Sequence, residues 1–131
     1  MTSPDDLEQQ HTLSTATTRY DELRMRDALA TMGEKGEVPP LTREESLELL
    51  ALSEVVIRKA GYGRQAMVRS ARSAGASWTQ IGAALGSSKQ AAWEAHHRWI
   101  EDQARAHELT GYEGLDPDQV DEAHGLAGRP D

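Results

Sequence analysis

The sequence predicts an all-α fold: a small helical bundle that contains a helix-turn-helix, with flexible acidic N- and C-terminal tails. Three observations lead there. Thr42 with Glu45, and Ser77 with Gln80, have the spacing of capping boxes, in which two side chains satisfy orphan backbone N–H groups at a helix start. Residues 77–99 hold two short apolar-periodic segments joined at Gly86. A hydrophobic content of 37% with no phenylalanine, and a mean hydropathy of -0.67, provide for only a small core, so loose chain ends are expected.

Residues 1–17 are polar, carry Pro4 and show no sustained apolar period, which predicts a disordered tail. Between 18 and 32, Leu23, Ala28, Leu29 and Met32 share a strip with Tyr20 at its edge. That helix needs a surface to pack on, either the core or a second copy of the chain. GEKGEVPP, residues 33–40, ends it, because glycines loosen the backbone and Pro39 and Pro40 forbid continuation; the best internal boundary falls at the end of this 18–40 segment.

A helical domain is expected over 41–109. Its first helix, 41–59, carries acids in the first turn and bases in the last, complementing the helix dipole, and Leu47, Leu50, Leu52, Val55, Val56 and Ile57 make it the core helix. Past Gly61 and Gly63, residues 64–74 form a helix with Ala66, Met67, Val68 and Ala71 inward and Arg64, Arg69 and Arg72 outward; Gly75 ends it. The next helix starts at Trp78, with Ile81 and Leu85 on one face and Gly82 and Ala84 leaving room for a neighbour. Gly86 suits the left-handed C′ position, Ser87 and Ser88 are good N-caps, and a new helix runs from Lys89 to about Leu109. Ala92, Ala95 and Trp99 recur on its inner face, and Lys89, Gln90, Trp93, Glu94 and His97 on its outer one. Residues 110–131, with four glycines and two prolines among acids, read as a flexible tail with one turn of helix after Asp116.

The net charge of -8 at first opposes an anionic partner, but its distribution does not. Residues 1–57 carry five basic and twelve acidic side chains; residues 58–99 carry seven basic ones against Glu94 alone; residues 100–131 carry two basic and nine acidic. The positive block coincides with the motif and the helix before it, so the whole-chain pI hides a basic patch.

Trp78, Ile81, Gly82, Leu85, Gly86, Ser88, Gln90 and Ala91 follow the pattern W-x-x-I-G-x-x-L-G-x-S-x-Q-A. This stretch resembles the small bacterial helix-turn-helix domains related to the C-terminal, region 4-like DNA-binding part of sigma factors. The match spans only about a fifth of the chain. It implies a DNA-binding fold in which Ser88, Lys89 and Gln90 stand at the contacting start of the recognition helix. One departure is Ser87, where that family places an aliphatic residue under the turn; Ala92 and Ala95 are also small, and Trp78 and Trp99 are candidates to fill the space.

The function expected is a DNA-binding transcriptional regulator with its recognition helix, about 88–99, in the major groove of double-stranded DNA. Lysine donates to guanine O6 and N7, and glutamine pairs bidentately with adenine, so Lys89 and Gln90 have base-reading chemistry. Ser88, Trp93, His97, Thr79 and Gln80 complete the motif's candidate contacts, and Arg64, Arg69 and Arg72 are candidates for phosphate. Trp93 suits a sugar or a thymine methyl, or equally a protein surface. The alternative is therefore a helical interaction module that binds transcription machinery or another protein partner. A homodimer through the 18–32 helix would supply a second half-site.

No nucleotide-binding loop, nucleophile elbow or HExxH is present, so no active site and no cofactor are expected. His97 and Glu101 stand four apart, as helical metal ligands do, but read as solvent-exposed side chains, and no metal is expected. With no cysteine, no apolar run of 18 residues and an N-terminus lacking a basic-apolar signal, a cytoplasmic protein without membrane attachment is expected. The lysine-poor, Ala/Gly/Arg-rich composition points to a GC-rich bacterial genome.

Overall fold

Among the described residues, six helices begin on a Ser, Thr or Asp whose side-chain oxygen accepts from the backbone N–H three residues on: Ser3, Thr12, Thr42, Ser77, Ser88 and Asp116. This local chemistry lays out the architecture of the computed structural model, which describes residues 2–33 and 37–130. The described residues form α1 (Pro4–Gln10), α2 (Leu13–Met32), α3 (Arg43–Tyr62), α4 (Arg64–Ser73), α5 (Trp78–Leu85), α6 (Lys89–Thr110) and α7 (Pro117–Ala127), with no strand. None of these helices is long and apolar enough to cross a membrane. The chain is all-α and divides at Gly63 into two compact units.

In the N-terminal unit, α2 lies antiparallel to α3, as two cross-links show. The Arg19 guanidinium donates to both Glu48 oxygens at 2.9 and 3.0 Å, and Arg26 donates to Glu45 at 2.7 Å. The helices enclose Leu7, Ala16, Leu23, Ala51, Leu52 and Val55. Three expectations change here. The N-terminal segment is not a disordered tail: Pro4 occupies the first turn of α1, where a proline's missing N–H costs nothing, and Leu7 is buried. The inner stripe of α2 is Ala16, Tyr20 and Leu23, whereas Leu29 and Met32 are exposed. Because α2 and α3 pack together, the 33–40 segment is a connection within this unit and not a boundary; Glu34, Lys35 and Gly36 of that segment lie outside the described residues.

In the C-terminal unit, Val68, Trp78, Ile81, Ala92, Ile100, Ala123 and Ala127 make the core, with Ala71, Trp93, Trp99, Leu115 and Val120 packed around it. The flexible C-terminal tail expected from composition is instead a docked helix. Asp116 and Gln119 form a capping box, Pro117 sits in the first turn, and Ala123 and Ala127 are buried.

The C-terminal end of α7 is held by side chains from three helices. Arg72 of α4 donates to the Leu126 carbonyl at 3.0 and 3.2 Å, the Trp78 indole N–H of α5 to Ala127 at 2.7 Å, and the Trp93 indole N–H of α6 to Gly128 at 2.7 Å. The last carbonyls of a helix have no partner within it, so these donors act as an extended C-cap.

Candidate nucleic-acid interface

The motif forms as its sequence requires. Ser77 and Gln80 exchange both bonds of a capping box, Gly86 takes the left-handed conformation at φ +71°, and Ser88 caps α6. The turn between α5 and α6 is tight without an aliphatic residue beneath it. Ser87 donates its backbone N–H to the Gly82 carbonyl at 2.8 Å, and a Cβ on Gly82 would stand 2.9 Å from the Ser87 oxygen and the Ser88 carbonyl carbon. The absent side chain at Gly82 therefore lets the turn backbone close directly onto α5.

That turn leaves Ser87, Ser88, Lys89 and Gln90 exposed at the start of a 22-residue helix, with Thr79 and Gln80 exposed beside them. The Gln80 side-chain oxygen accepts from the Ser77 N–H at 2.9 Å, so it works as a cap. The Gln90 amide donates to Glu94 at 2.9 Å, tying up the one acid in this part of the helix.

The remaining candidates separate. Arg64 is exposed at the start of α4. Arg69 is half-buried, with its guanidinium 5.5 Å from the centre of the Trp99 ring. Arg72, expected on the outer face, is committed to the interior: besides Leu126 it donates to the Ala76 carbonyl at 2.9 Å and lies over the Trp78 ring. Trp93, expected to face outward, is half-buried against Gly128 and stacks on His97 at 5.0 Å. The basic block also shrinks. Arg58 and Lys59 belong to the N-terminal unit, where Arg58 pairs with Asp5, Glu8 and Glu54.

Placed beside Gln90 is a residue that composition assigned to a loose tail. Gln90, Trp93, His97, His124, Gly128, Arg129 and Pro130 line one groove, and Arg129 is exposed there. No local signal marks Arg129, since its place depends on the docking of α7. Ala92, His96 and Ile100, not Ala95 and Trp99, form the fully buried stripe of α6. His96 is 1% exposed, donates through Nδ1–H to the Gln65 side-chain oxygen at 2.9 Å, and stacks on Trp99 at 5.3 Å. Burial, helped by the charges of Arg69 and Arg72, lowers its pKa to about 4, so the ring is neutral at pH 7. Comparison with protein-family models, curated proteins and solved structures finds no match to this chain.

Proposed function

We propose that this protein is a non-enzymatic DNA-binding regulator that inserts the start of α6 into the major groove. The observation that carries the reading is the glycine-tightened turn, which presents Ser88, Lys89 and Gln90 to solvent while the opposite face of α6 is anchored in the core. Arg64 and Arg129 are exposed cations suited to phosphate. Arg72 and Trp93 leave the contact set, because both are holding α7.

Titration of the full chain on random duplex DNA at two salt concentrations tests this. Affinity should fall steeply with salt, and Lys89→Ala and Arg64→Ala should each lower the slope of log affinity against log salt by about 1. Binding that is absent, or insensitive to salt and to both substitutions, would overturn the proposal.

One observation favours a partner-binding role for the other unit. Met25, Leu29 and Met32 stand at helical spacing on α2 and are 58%, 49% and 81% exposed. Such a stripe suits pairing with a second copy, which would double the DNA half-sites, or a transcription-machinery protein.

A further inference from the structure

The groove beside the start of α6 ends at a cluster that composition alone does not assemble. His97 and Glu101 are one turn apart on α6, and His124 reaches them from α7. The His124 Nε2 lies 3.1 Å and the His97 Nε2 3.8 Å from the same Glu101 oxygen. All three ligand atoms fall within 4.8 Å of one another.

We propose that His97, Glu101 and His124 bind a divalent transition-metal ion, Zn²⁺ foremost, which fastens α7 to α6. Two imidazoles and one carboxylate are a recurring zinc donor set, with the fourth position left to water. Ligands at about 2.0–2.2 Å from a tetrahedral ion lie roughly 3.4 Å apart, so the observed spacing needs only side-chain rotation to close on one. The ligands are half-exposed or exposed, which gives an ion a route in. His97 is also pre-oriented: its ring stacks on Trp93 with an interplanar angle of 17°, and Trp93 is in turn fixed by the Gly128 carbonyl.

The nitrogen and oxygen donors favour Zn²⁺, Co²⁺, Ni²⁺ or Cu²⁺ over Mg²⁺ or Ca²⁺, which prefer oxygen alone. A bound ion would hold the Gly128–Pro130 segment against Trp93 and make α7 harder to release. This proposal is independent of whether α6 reads DNA.

The test uses the full chain without an affinity tag, stripped with chelator and titrated calorimetrically with Zn²⁺ at pH 7.5, and with Co²⁺ followed by its visible absorption. One ion should bind per chain, with the d–d bands of a tetrahedral centre. His97→Gln, Glu101→Gln and His124→Gln should each weaken binding at least about tenfold, as loss of even outer ligand partners does. His11→Gln, in the other unit, should leave binding unchanged. Saturating Zn²⁺ should raise the melting temperature of the wild type by roughly 10 °C and that of the three variants far less. Melting of each variant in chelator identifies any that fail to fold, and Glu101→Gln, the near-isosteric change, then decides. No saturable binding by the wild type, or equal binding by the wild type and the folded variants, would overturn the site.

Discussion

His96 occupies a position that a single hydrophobic residue would fill more simply, between Trp78 and Trp99 and under the charges of Arg69 and Arg72. It is neutral when folded, with a pKa of about 4 against an ordinary 6.5, so between those values the unfolded chain binds the extra proton. The stability it contributes is complete above pH 6.5 and is lost as pH falls toward about 4. The linkage amounts to at most about 1.4 kcal/mol per pH unit and on the order of 3 kcal/mol in total. Urea unfolding followed by tryptophan fluorescence should show this loss from pH 7 to 5, a range that precedes most carboxylate titration. His96→Gln, which retains a polar group for Gln65, should flatten the slope; identical slopes in the two proteins would refute the assignment.

Among the helices, α7 departs furthest from its expected role. Its acids and glycines describe a flexible tail, yet it closes the core of its unit. Deleting residues 112–131 would remove Leu115, Val120, Ala123 and Ala127 from that core and leave the buried Trp78 indole N–H without its acceptor. An unsatisfied buried donor alone costs about 1–3 kcal/mol. Thermal melting should therefore drop by more than about 10 °C in the truncated chain, or lose its cooperativity, whereas removal of a mere tail would leave it unchanged. The same contrast explains what was legible beforehand. Capping boxes at Thr42 and Ser77, and the Gly86 turn, are local and were read directly. The Asp116 box and Pro117 were equally local signals, outweighed by the composition around them. Sequence alone places Ala95 and Trp99 in the buried stripe of α6 because they look more apolar than His96, whose buried imidazole is satisfied by its polar contact with Gln65. Arg72 and Trp93 defeat a local reading for a related reason: they bond to backbone carbonyls fifty-four and thirty-five residues away.

At the level of the whole chain, two separate cores imply two cooperative units. Residues 1–63 carry seven basic and twelve acidic side chains, and residues 64–131 carry seven and ten, so both halves are net negative. The distribution of tryptophan makes the idea measurable, since Trp78, Trp93 and Trp99 all belong to the C-terminal unit. Fluorescence then reports that unit alone, while far-ultraviolet ellipticity reports both. Leu23 is fully buried between α2 and α3, and Leu23→Ala should cost its unit about 2–5 kcal/mol. The substitution should move part of the ellipticity transition to lower denaturant and leave the fluorescence midpoint where it was. An equal shift in both probes would mean that the two cores fold as one. With independent units, a second copy on α2 would act on the proposed DNA binding by tethering, raising the effective concentration of one motif near the site held by the other.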